Sequence, residues 1–176
     1  LTEAARKYNV VTQMGNQGHS GEGTRLICEW IWSGAIGDVK EVHAWTNRPV
    51  WPQGVEVDRP LETPPVPETL NWDLWLGPAQ YRPYNPAYLP ASWRAWWDFG
   101  TGSIGDLGCH ILDAAFWALN LKYPEAVEGN ISTYWGDFWE YTEPKNEQFP
   151  RSTIVRFKFP AREDMPPVKL TWWDGG

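Results

Sequence analysis

Cysteine is scarce in this sequence, with only Cys28 and Cys109 among 176 residues. Two thiols so far apart have neither the spacing of a zinc site nor the density of a disulfide scaffold, and they leave the redox compartment open. Runs of lysine or arginine are missing too. The 15 basic residues are outnumbered by 22 acidic ones, for a formal charge of -7, so the electrostatic footprint of a nucleic-acid binder is absent and such partners are not expected. No apolar run approaches the roughly 20 residues that cross a bilayer, and the N-terminus shows no basic, apolar, small-residue signal pattern. The chain reads as soluble and without a membrane partner, its compartment undecided between cytoplasm and periplasm. Internal repeats and low-complexity tracts are also lacking. The length suits one ordinary domain, or one domain with a piece of another.

What the sequence has in excess is tryptophan. Fourteen of them, many beside prolines, exceed what a core of this size needs. Some are expected to line a concave surface, where a flat apolar face with a polar edge suits sugars. The competing reading is that they pin long loops onto a sheet. From Pro49 to Pro90 lie ten of the sixteen prolines, a density that rules out a central strand or a long helix. Six aromatics between Trp51 and Tyr88 argue that this excursion is ordered, since each would otherwise expose a large apolar surface.

The opening LTEAARKYNVVTQMGNQG predicts a helix with Leu1, Ala4, Ala5 and Tyr8 on one face, ended by Asn9, then a strand over Val10 to Met14. This looks like the end of an αβ unit: an uncapped helix and a single strand with no parallel neighbour cannot bury both faces alone. The chain is therefore expected to be a fragment, with residues 1–18 as the remnant of one domain and 19–176 as a second, incomplete one. Ser20 can cap a second helix with Leu26, Ile27, Trp30 and Ile31 as its apolar stripe and Gly34 at its end. IGDVKEVHAWTN alternates through Val39, Val42, Ala44 and Trp45, the period of a strand. After a helix near Ile104 come the strand-like runs AVEGNISTYW, STIVRFKF and VKLTWW. Strands in hairpin-like succession after a helix predict an α+β fold: a mixed, mostly antiparallel open sheet with helices on one face.

The stretch GTGSIGDLGCHILDAAFWAL holds the candidate chemistry. Asp106 and His110 stand at i and i+4, so on a helix the carboxylate and imidazole share a face and can meet one ligand atom. Histidine exchanges protons near neutral pH, and a neighbouring carboxylate fixes its tautomer. A hydroxyl being oxidised to a carbonyl needs such a base while its carbon gives up a hydride to a cofactor. The same letters also fit a helix start, with Ser103 as cap and Asp106 reaching back or complementing the dipole. A metal site of Cys109, His110 and Asp113 is disfavoured because those three do not share a face. The three glycines of GTGSIG permit close backbone approach to a bound molecule and a tight start to the helix. They are not a phosphate loop, since the spacing of neither nucleotide motif is present. Arg94, between Trp93 and Ala95, could anchor a carboxamide or phosphate oxygen, or simply pack on neighbouring rings.

Taken together these residues resemble the glucose-fructose oxidoreductase / inositol dehydrogenase family, Gfo/Idh/MocA, and its tryptophan-rich members. The resemblance spans nearly the whole chain. AARKYNVVTQMGNQGHS resembles the segment leaving that family's Rossmann domain, NWDLWLGPAQYRPYNP a loop of the subgroup, and SWRAWWDFGTGSIGDLGCHILDAAFWAL the substrate-site helix. The last is the most specific. It implies His110 as the proton-accepting or hydroxyl-binding group, with Asp106 as its substrate-binding and orienting partner. Trp93 and Arg94 then match a pair near the nicotinamide, and Gly15 and Asn16 a turn approaching cofactor or substrate, with Gln17 and Gln13 beside it. The implied activity is that of an NAD- or NADP-dependent dehydrogenase acting on a sugar, sugar derivative or cyclitol, and the implied assembly is a homo-oligomer through the open sheet face. A glycosidase using NAD transiently, and a non-catalytic carbohydrate-binding module, are the alternatives. The family's glycine fingerprint, its acidic ribose-binding residue and its E-K-P lysine are not found in this sequence. A chain without them is expected to be inactive alone.

Overall fold

A computed structural model describes residues 1–49, 58–132, 134–137, 140–142 and 147–175; Trp51 lies outside them. Helix α1 (Thr2–Tyr8) is followed by α2 (Glu22–Trp32) and β1 (Glu41–Trp45). Next come the short helix α3 (Trp72–Leu76) and two 3₁₀ turns (Pro86–Tyr88 and Ser92–Ala95), then α4 (Gly102–Ile111) and α5 (Asp113–Ala118). Strands β2 (Ala126–Ile131), β3 (Tyr134–Asp137), β4 (Glu140–Thr142), β5 (Thr153–Phe159) and β6 (Val168–Trp173) complete the described elements.

The main sheet runs β1-β6-β5-β2. β1 pairs parallel to β6, whereas β6–β5 and β5–β2 are antiparallel. This is the mixed, mostly antiparallel sheet that the strand pattern predicts. One face is covered: Leu119, Leu121, Phe159, Val168 and Leu170 are buried, and Ile31, Val39, Val42, Leu112 and Ala115 pack against them from α2, β1 and α5. Trp32 Nε1 donates to the Ala118 carbonyl at 2.8 Å, tying α2 to α5. Because side chains alternate along a strand, the register leaves Trp45, Thr171, Trp173, Ile154 and Arg156 together on the opposite face. Trp45 there is 71% exposed.

Three local expectations are corrected. Val10 to Met14 is not a strand: no described segment pairs with it, and a lone extended run has no ladder to join. The α1 helix does end at Asn9, which takes the left-handed conformation at φ 51°. Helix α2 is preceded by Gly21 with no side-chain cap, not by Ser20. Its buried residue is Cys28, while Ile27 and Trp30 are exposed, because the packed face is centred one position off the predicted stripe. A two-stranded β3–β4 hairpin was not foreseen.

Over the described residues 58–90 the proline-rich excursion is ordered by a second, aromatic core. Trp72, Leu76, Tyr88 and Trp96 are buried, with Leu70, Trp75, Tyr84, Leu89 and Phe99 packed on them. Asn71 caps α3 by accepting from Leu74 N at 3.0 Å. Trp72 Nε1 donates to the Arg82 carbonyl at 2.8 Å and Trp96 Nε1 to Ala87 at 3.3 Å. Trp72 and Trp96 therefore pin loops, because each hides its rings and satisfies a backbone carbonyl that a loop would otherwise leave unmade.

Candidate functional site

Helix α4 carries the site residues, and its start differs from the predicted one. The N-cap position is Thr101, without a side-chain cap, and Ser103 sits inside the first turn with its hydroxyl buried and unbonded among the described residues. The chain can turn this tightly because of two glycines. Gly102 has φ +62°, and a Cβ there would lie 2.6 Å from Phe149 Cγ; a Cβ on Gly100 would collide with the Arg94 carbonyl. These glycines thus serve internal packing of backbone against the 92–95 turn and Phe149.

That packing holds Arg94 against α4. Arg94 Nε donates to Asp106 Oδ1 at 3.1 Å and Nη1 to the Ala91 carbonyl at 3.2 Å, while its guanidinium lies 4.7 Å from the Trp93 ring centre. Asp106 is thus engaged by a side chain from outside its own helix. It forms a half-buried ion pair that fixes the carboxylate on the second turn of α4. Trp93, Arg94 and Asp106 are brought together as one unit.

One turn on, His110 Nδ1 stands 2.9 Å from the Gln17 carbonyl. A carbonyl only accepts, so Nδ1 carries a proton, and in the neutral form of the ring the lone pair is then on Nε2. Gln17 thus enters the site through its backbone. A Cβ added at Gly15 would meet the Gln17 side-chain nitrogen at 3.7 Å, an ordinary contact. Asn16 Oδ1 is buried with no hydrogen-bond partner among the described residues.

The next turn adds a couple that sequence reasoning missed. His19 Nδ1 lies 2.8 Å from Asp113 Oδ2, and the His19 ring stacks on Trp117 with centres 4.8 Å apart. Asp106 and His110 stand at i and i+4 on α4, and Asp113 and Trp117 stand at i and i+4 on α5, with Leu112 between the two helices. That spacing was available in the sequence, whereas their partners, Gln17 and His19, lie some ninety positions away. Behind this face Cys28 is buried, and burial, assisted by the Asp113 charge, raises its thiol pKa above the ordinary value. Among the described residues no group of three or more His, Cys, Asp or Glu could hold a metal ion. No helix among them is long and apolar enough to cross a membrane.

Comparison with curated proteins gives no match. Comparison with protein families gives one: the C-terminal alpha/beta domain of an oxidoreductase family, Gfo/Idh/MocA, across residues 38–134. The matched span holds β1, the aromatic lobe, α4 and α5, and is more than half of the chain. The chain therefore belongs to the Gfo/Idh/MocA family of oxidoreductases.

Proposed function

We propose that this chain is the substrate side of an NAD(P)-dependent oxidoreductase acting on a hydroxyl of a sugar, a sugar derivative or a cyclitol. The observation that carries the reading is the tautomer of His110. With Nδ1 committed to the Gln17 carbonyl, Nε2 is the lone pair available to take a proton from a substrate hydroxyl. Asp106, held by Arg94, can accept a hydrogen bond from the same or the neighbouring hydroxyl and so orient it.

Asn16 Oδ1 is a buried acceptor still lacking a donor among the described residues, which a nicotinamide carboxamide N–H would supply, and Trp93 offers aromatic surface to the same ligand in this reading. Two of the five N–H donors of Arg94 go to Asp106 and the Ala91 carbonyl, which holds Asp106 in place and leaves donors for a cofactor oxygen. When bound, a nicotinamide supplies the acceptor for the hydride leaving the carbinol carbon. Residues 1–18 are taken, in this reading, as the end of a nucleotide-binding domain, and residues 19–176 as the substrate domain.

The exposed Trp45, in register with Trp173 on the uncovered sheet face, supports a homo-oligomer formed there. The test of function is nicotinamide reduction by the full-length gene product on a sugar and cyclitol panel. His110→Ala is expected to lower kcat/KM by about 10²–10⁴-fold, the usual worth of a general base; an unaltered rate would remove His110 from the reaction.

A further inference from the structure

Beside the α4 site, and outside the residues used above except for Trp93, the aromatic lobe opens into a cleft of about 620 Å³, within the range of small-molecule pockets. Its walls are Trp75, Trp93 and Phe99, with Leu76, Pro78 and Ala79 around them and Asp98 as the charged group. Trp75 lies flat on Trp72, ring centres 4.8 Å apart and planes within 11°. One face of Trp75 is thus hidden, so what it gives the cleft is its opposite face or its edge. Phe99 meets Trp75 edge-on at 5.0 Å, which sets the two rings at a corner.

The electrostatics decide what kind of ligand suits this corner. A bare carboxylate among aromatic rings would favour an organic cation. Asp98, however, is ion-paired to Arg82, whose side chain is only 3% exposed and sits 5.0 Å from Phe99 and 5.2 Å from Tyr88. Glu147 and Arg59 continue the network, with Glu147 at 3.5 Å from Arg82 and 2.8 Å from Arg59. Two cations and two carboxylates balance, leaving no net charge to attract a cation. What remains is a flat apolar wall with a fixed carboxylate oxygen, and Asp98 keeps about a third of its side chain exposed. A pyranose ring matches both, with C–H groups against indole and vicinal hydroxyls donating to carboxylate.

We infer that this cleft is a binding subsite for a second saccharide unit, so that the preferred substrate is a disaccharide or larger glycoside. The inference rests on the sugar reading of the α4 face. Trp93 links the two places: it lines the cleft, while Arg94, the next residue, bonds Asp106.

The test is calorimetric titration of the full-length gene product with glucose, galactose, cellobiose, maltose and lactose, with tetramethylammonium as the cationic control. At least one disaccharide is expected to bind about tenfold or more tightly than its monosaccharides. Ala79→Trp, which fills the cleft without touching the buried core, is expected to abolish that gain while leaving monosaccharide binding and the melting temperature unchanged; Trp75→Leu serves as the second variant. Equal binding of mono- and disaccharides, a disaccharide gain that survives Ala79→Trp, preferential binding of tetramethylammonium, or no sugar binding at all would each overturn the inference. Loss of nicotinamide reduction with the disaccharide gain retained would instead count against the dehydrogenase reading alone.

Discussion

Replacing Asp98 by Asn should destabilise the aromatic lobe by an amount that the structure lets us bound. Arg82 is 3% exposed at its side chain, its Nε and Nη1 have no partner among the described residues, and its guanidinium lies among the Tyr88, Trp96 and Phe99 rings. Removing one partner of a fully buried ion pair costs about 3–5 kcal/mol, chiefly because the remaining charge is stranded. Here Asp98 is one-third exposed and Glu147 still stands 3.5 Å from Arg82, so we expect roughly half of that, about 2 kcal/mol. In a domain of this size each kcal/mol moves Tm by about 2–4 °C, giving a fall of roughly 4–8 °C.

The control is Arg82→Met, which keeps the stem among the rings but carries no charge to strand. Exchange of a buried charge for an apolar chain is often close to neutral, so adding Asp98→Asn to Arg82→Met should cost little more. Thermal and urea unfolding followed by circular dichroism and tryptophan fluorescence give both numbers. A shift within a degree for Asp98→Asn, or the same loss persisting when Arg82 is already Met, would refute the reasoning that a stranded guanidinium is the cause.

Further consequences can be measured on the same material. Gly100→Ala would place a Cβ against the Arg94 carbonyl; a loss of several degrees in Tm, with weakened Arg94–Asp106 coupling in a double-mutant cycle, is expected. Cys28 has a raised thiol pKa, first from burial and then from Asp113. That sign means its contribution to stability is complete below the ordinary thiol pKa and is lost as pH rises through the folded value. Urea midpoints should therefore fall from about pH 8 to about pH 10, less steeply in Cys28→Ala; equal slopes would remove Cys28 as the cause. Trp45→Glu should shift sedimentation of the full-length product toward monomer if the open sheet face is the interface, and an unchanged distribution would place the interface elsewhere.

The parts of the fold governed by short-range periodicity were legible from the sequence. β1, β5 and β6 lie where alternation put them, and α1 ends at Asn9 because that residue tolerates the left-handed conformation. The aromatics of the proline-rich stretch announced the order seen over its described residues 58–90, but not which indoles would be buried. That depends on which carbonyls come within reach of each Nε1 once the loop closes. Val10 to Met14 failed as a strand since alternation supplies only one half of a ladder. Ser103 failed as a cap because Gly102 and Gly100, packed on Phe149 and Arg94, set the start of α4 through contacts distant in sequence.

For the site, helical spacing brought Asp106 and His110 onto one face, and the same i, i+4 spacing recurs at Asp113 and Trp117 on the next helix. The ambiguity between cap and site at Asp106 could not be settled by spacing, since both need a carboxylate near a helix start. What the fold adds is Arg94, which donates to Asp106 Oδ1 from outside the helix. The tautomer of His110 was beyond any local rule, because the carbonyl that fixes it belongs to Gln17.

The central claim is that His110 acts through Nε2 on a substrate hydroxyl while Gln17 holds Nδ1. It is tested most directly by kcat/KM for nicotinamide reduction by the full-length gene product, compared with His110→Ala and His110→Gln. The account predicts that both variants are slower by about 10²–10⁴-fold at an unchanged Tm. A wild-type rate in His110→Gln would contradict it.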